Sequence, residues 1–166
     1  MLTACASSPY KTDNTVPNIG PYHDFSARLL VMEPKHRWQV MLRWVGDEQS
    51  GYARLTHGAS GRVLQIRWQG KNTALLDNQQ LPAYWRPISQ KELAKRGLIV
   101  SPSILAAILH NHIPVELRYK HDGKWKGYGS WRGITMFWQP DRHSLSLSDI
   151  SKGREVRIII DNKSVD

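Results

Sequence analysis

The residues able to do chemistry in this 166-residue chain are scattered rather than grouped. Seven histidines suggest a metal site, yet His110 and His112 stand two apart, a spacing that does not share one helical face. No cysteine or carboxylate cluster accompanies them, and His110 is expected to cap a helix C-terminus instead. Serines are plentiful, but no nucleophile-elbow pattern surrounds any of them. Gly58-Ala59-Ser60-Gly61 has no lysine after it and reads as a hairpin turn, not a phosphate loop. Most acids, Asp47, Asp122 and Asp149 among them, fall in turns or on polar faces. The expectation is a chain without catalytic residues, metal ligands or cofactor.

The elements that would position a site are legible as hydrophobic periodicity. Phe25, Ala27, Leu29 and Val31 alternate with polar neighbours, and Trp38, Val40, Leu42 and Trp44 alternate with Arg37, Gln39, Met41 and Arg43. Residues 52–56, then Leu64, Ile66 and Trp68, then residues 73–77 continue the pattern between short turns, as in an antiparallel meander. The middle is helical. Ser89-Gln90-Lys91-Glu92 is a capping box closed by Gly97, and Ser101-Pro102 starts a second helix carrying Ile104, Leu105, Ile108 and Leu109 on one stripe. Strands return with Val115, Leu117 and Tyr119, the turn His121-Asp122-Gly123-Lys124, residues 125–130, Leu145 with Leu147, and Val156, Ile158 and Ile160. The fold class is mainly β (α+β): one curved antiparallel sheet, or half-barrel, closed by short helices.

Charge separates from hydrophobicity along these strands. The net charge is +9, and Arg28, Arg37, Arg43, Arg54, Arg67, Arg118 and Arg157 project from strands. Trp38, Trp44 and Trp68 point to the opposite side, so stacking platforms and phosphate clamps lie apart, which argues against nucleic acid. The basic face is expected to meet anionic headgroups or an acidic carrier, more weakly as salt rises. The apolar face either packs solid or leaves a cavity suited to acyl chains, each buried methylene contributing about 0.8 kcal/mol. Candidate cavity residues are Leu29, Trp38, Val40, Leu42, Trp44, Leu64, Ile66 and Trp68, with Ile104, Leu105, Ile108 and Leu109 as a lid.

The single cysteine excludes an internal disulfide. Leu2-Thr3-Ala4-Cys5 resembles the lipobox at a bacterial lipoprotein cleavage site, which would make Cys5 the lipidated residue and membrane anchor. The charged and apolar signal that such a site requires is then expected upstream of Met1; otherwise the match is chance. Residues 1–22 read as this start plus a flexible tether rich in Ser, Thr, Asn and Pro, and residues 23–166 as one domain.

From Phe25 to Asn162 the chain resembles the LolB family, outer-membrane receptors that accept lipoproteins from the periplasmic carrier LolA. The resemblance rests on ordered pieces: Phe25-Ser26-Ala27-Arg28; Tyr52-Ala53-Arg54-Leu55-Thr56-His57-Gly58 leading into 63–68; Gly97-Leu98 with Ser101-Pro102-Ser103-Ile104-Leu105; Asp122-Gly123-Lys124-Trp125; Leu145-Ser146-Leu147-Ser148-Asp149; and 154–162. It implies a half-barrel with an acyl-binding cavity, no enzyme chemistry, lipid acyl chains or lipoproteins as ligands, and a LolA-like carrier as partner. Ala6 and Ser7 lack the aspartate of an inner-membrane retention signal, so the resemblance implies the periplasmic face of the outer membrane. The family's exposed Pro-Leu-Gly loop, which contacts membrane or partner, matches His57-Gly58-Ala59-Ser60-Gly61 here and has no leucine. A relative that carries another lipid or glycolipid is therefore a second expectation, and a scaffold lipoprotein with a packed core a third.

Overall fold

A computed structural model describes residues 16–163, with side chains through residue 161; Cys5, Ala6 and Ser7 lie outside the described residues. Alternation becomes sheet directly. Strands β1 (Asp24–Met32), β2 (Arg37–Gly46), β3 (Ser50–His57), β4 (Arg62–Gln69) and β5 (Asn72–Asp77) follow one another as antiparallel hairpins. A two-residue β6 (Arg86–Pro87) ends this half. Two helices, α1 (Gln90–Lys95) and α2 (Pro102–Leu109), cross to the second half: β7 (Leu117–His121), β8 (Lys124–Gly127), β9 (Ile134–Gln139), β10 (Ser144–Asp149) and β11 (Arg154–Lys163). β11 pairs with β1, giving one sheet of eleven strands in the order β6-β5-β4-β3-β2-β1-β11-β10-β9-β8-β7. Its two edges, β6 and β7, do not meet, so the sheet is an open antiparallel half-barrel.

Register places the apolar set on one side. Leu29 sits between Val40 on β2 and Ile158 on β11, and Ala27 lies between Leu42 and Ile160. These residues, with Leu93 of α1 and Ala106, Ile108 and Leu109 of α2, form one continuous core. The hairpin at Asp122-Gly123 has positive φ at both central residues, the geometry that matches strand twist in a two-residue turn.

Both helices start as their sequences dictate. The Ser89 side chain accepts from the Glu92 N–H while Glu92 accepts from the Ser89 N–H, and the Ser101 side chain accepts from the Ile104 N–H. α1 stops at Gly97, whose φ is +104°. The Leu98 N–H reaches the Leu93 carbonyl and the Gly97 N–H reaches that of Ala94, a Schellman ending.

Several expectations need correction. Val115 is 86% exposed and precedes β7, because Pro114 starts a turn closed by the Leu117 N–H on its carbonyl. The strand expected to run to Ser130 stops at Gly127, where an added Cβ would lie 2.1 Å from the Trp131 carbonyl; a 3₁₀ turn, Gly129–Trp131, follows. β9 is not among the expected strands, although Ile134, Met136 and Trp138 alternate along it. The tether does not extend to residue 22. Ile19 is fully buried and its N–H donates to Asn111 Oδ1, while the Tyr22 N–H donates to the Leu109 carbonyl.

The basic face is outward. Arg28 pairs with Asp161 at 3.0 Å, Arg157 with Glu155 at 2.8 Å, and Arg43 with Asp24. The separation of arginine from indole has one exception: Arg67 lies 4.4 Å over the ring of Trp85. No helix is long and apolar enough to cross a membrane among the described residues.

Candidate ligand cavity

The inner face of the first sheet half is not fully covered. An inner chamber of about 50 Å³ lies between the sheet and the connection from α1 to α2. It is walled by Leu29, Val31, Trp38, Leu42, Trp44, Ala53 and Leu55 from β1 to β3, Leu147, Val156 and Ile158 from β10 and β11, and residues 96–100 with Leu105 above. An outer groove of about 360 Å³ adjoins it, walled by Trp38, Val40, Leu55, His57, Ser60, Arg62, Leu64 and Arg96. Trp38, Leu55 and Arg96 belong to both, so the two spaces share a wall. Larger recesses of about 580, 690 and 750 Å³ exist on the surface, but their walls mix polar backbone turns with charged side chains such as Lys120, Lys152 and Lys71.

Trp38 is held from below. A Cβ on Gly97 would stand 3.3 Å from Val31 Cγ1 and 3.4 Å from Trp38 Cζ2, so glycine serves both the left-handed helix ending and the close approach of this wall. Behind the chamber, Trp44 packs on Trp68 with ring centroids 4.6 Å apart and planes tilted by 37°, and Trp68 Nε1 donates to the Asp47 carbonyl at 2.8 Å. Gly51 permits this, because a Cβ there would lie 2.0 Å from Trp68 Cζ2.

The mouth of the groove is polar and tightly organised. Arg62 Nη2 donates to Asp77 Oδ2 at 2.6 Å. Asp77 is 2% exposed. Burial works to raise its carboxyl pKa, but the Arg62 hydrogen bond, the Gln79 N–H and the charges of Arg62 and Arg96 outweigh it and hold the group below the usual carboxylate value. The Asn78 side chain accepts from the Val63 N–H and donates to the Gly61 carbonyl, tying the 57–61 loop to the end of β5. Within that loop His57 Nδ1 is hydrogen-bonded to the Ser60 hydroxyl at 2.8 Å and lies 3.2 Å from the Ser60 N–H, which fixes the ring against the turn. Gly58, Ala59, Ser60 and Gly61 are exposed at the rim.

The twelve residues expected to line a cavity divide in three. Leu29, Trp38, Leu42, Trp44 and Leu105 face the inner chamber, and Val40 and Leu64 face the groove with Trp38. Ile66, Ile108 and Leu109 are buried in packed core. Ile104 and Trp68 border separate surface recesses. Leu55, Arg62, Arg96 and the 97–100 connection were not on that list. Leu55 shares the inward phase of Ala53 on a recognised strand, so alternation could have found it. The arginines carry no such signal.

The histidines act locally. His110 caps α2 through Nδ1 on the Ala106 carbonyl at 2.8 Å, and His112 contacts Glu48. Among the described residues, no three His, Cys, Asp or Glu side chains are placed to hold a metal ion.

No family model matches the sequence, and no curated protein matches it. Among solved structures, the chain is similar to the crystal structure of LolA superfamily protein NE2245 from Nitrosomonas europaea, with 10% identity, 89% of each chain covered and a TM-score of 0.46.

Proposed function

We propose that this chain binds acyl chains or acylated proteins, without catalysis, in the cavity around Trp38. The observation that carries this reading is the continuous apolar wall shared by chamber and groove. The groove, at about 360 Å³, falls in the size range of small-ligand sites, and Trp38, Val40, Leu55 and Leu64 give it an apolar side along which an extended chain could lie. The finer reading is a LolB-like lipoprotein, anchored through Cys5 on the periplasmic face of the outer membrane, that takes its ligand from a LolA-like carrier. Its support is the sequence resemblance and the Leu2-Thr3-Ala4-Cys5 motif. The rim loop His57–Gly61 offers no apolar side chain larger than Ala59 for membrane insertion, which favours holding a ligand over inserting it.

A second reading, a scaffold lipoprotein with a packed interior, draws on the small size of the inner chamber and the complete burial of Ile108 and Leu109. Native mass spectrometry of the purified protein separates the two. Co-purified lipid, or uptake of one myristate, supports the carrier; a folded chain that takes up no acyl probe is the scaffold. Palmitate labelling in cells, lost in Cys5→Ala, tests the anchor separately.

A further inference from the structure

The mouth of the groove holds more positive charge than it neutralises. Asp77 is the carboxylate there, and Arg62 already occupies one of its oxygens. Arg62 Nε is buried with no hydrogen-bond partner. Arg96, a half-buried residue where the walls of chamber and groove meet, makes no ion pair or hydrogen bond through its side chain with any described residue, and its charge reaches Asp77 only through space. Its position is fixed by the backbone, since it is the C-cap of α1 immediately before the Schellman glycine. His57, hydrogen-bonded through Nδ1 to Ser60, stands beside both arginines on the groove wall.

We propose that the ligand of this cavity is an anionic amphiphile, whose carboxylate or phosphate ester is held at the mouth by Arg96 and Arg62 while its chain lies along Trp38. This rests on the acyl-binding reading above and narrows it to one class of head. Arg96 lines both spaces beside Trp38 and Leu55, and a guanidinium can take a carboxylate or phosphate through two parallel hydrogen bonds. The competing explanation is that Arg96 only extends its charged end to water over an apolar stem. That arrangement would treat charged and neutral heads alike.

Titration calorimetry of the full chain with myristate, myristyl phosphate, myristyl alcohol and inorganic phosphate decides between them. Both anionic amphiphiles should bind about tenfold to a hundredfold more tightly than the alcohol, the worth of one charge-assisted hydrogen bond. Arg96→Gln should remove most of that preference, read as the ratio of anion to alcohol affinity within the variant, with Arg62 retaining the remainder, and Arg96→Lys should recover part of the loss. Inorganic phosphate alone should bind far more weakly than myristyl phosphate. Equal affinity for all three amphiphiles, or an anion preference undiminished in Arg96→Gln, overturns the head-group assignment and leaves the acyl reading standing. Inorganic phosphate binding as tightly as its ester also overturns it, marking a plain anion site. If no amphiphile binds the folded chain, both readings fall together.

Discussion

The two halves of the sheet differ in how their inner faces are covered: around Trp138 the second half is packed, whereas the first half, with Leu147, Val156 and Ile158 of the second, walls a chamber that is left open. In the second half, Trp125, Met136, Trp138 and Leu145 are buried, and the segment before β1 closes the remaining space. Tyr22 meets Trp138 edge-on at 5.9 Å and Phe25 at 6.0 Å, and its hydroxyl bonds His143 Nδ1 at 3.0 Å. Among the described residues, no segment plays that part in the first half. Gly97 and Arg96 stand over Trp38, and the space beneath and beside them remains as chamber and groove. The contrast shows how one fold can spend similar apolar faces differently. Where an extra segment docks, the face becomes stability; where it does not, the face is left for a ligand.

The largest expected difference between the halves is energetic. Leu145, fully buried on β10, should lose about 3–5 kcal/mol on truncation to Ala, whereas Leu64, already bordering the groove, should lose about 1 kcal/mol. Urea unfolding of Leu145→Ala and Leu64→Ala measures both, and equal losses would erase the distinction.

Asp77 gives the next effect. Its folded pKa is lowered, so its contribution is complete above the unfolded carboxyl value of about 3.9 and is lost as pH falls through the lower folded value. Asp77→Asn should cost about 1–3 kcal/mol at neutral pH by leaving Arg62 without its partner, and should flatten the acid limb of stability. Melting temperatures from pH 6 to pH 2 check both; an unchanged acid limb would show that Asp77 does not carry it.

Smaller in stability but sharper in function is Leu64→Trp. An indole there should fill the groove with a stability change within about 1 kcal/mol, because the space exists, and should weaken myristate binding at least about tenfold. Binding that survives the filled groove would move the ligand elsewhere.

Much of this architecture was legible in the sequence, for physical reasons that also mark the limit. Alternation assigned β1 to β4 and their inward faces because a strand has a strict period of two, and the Ser89–Glu92 box and Gly97 fixed α1 at both ends. Alternation assigns a face, not a depth: Val40 and Ile66 read identically, yet one borders the groove and the other lies in packed core. Ile19 and Tyr22 carry no period, so their docking could not be read from residues 17–22. Arg62 and Arg96 stand out by no spacing or pattern in the sequence, and only the fold brings them to one mouth, with Asp77 from a third element.

The most direct measurement is quenching of Trp38 fluorescence by bromine-labelled myristate. An acyl chain lying in the groove should quench strongly at one equivalent, and Trp38→Phe should remove most of that quenching while leaving affinity nearly intact. Absence of quenching in the folded protein, or quenching unaltered in Trp38→Phe, would contradict an acyl chain in this cavity.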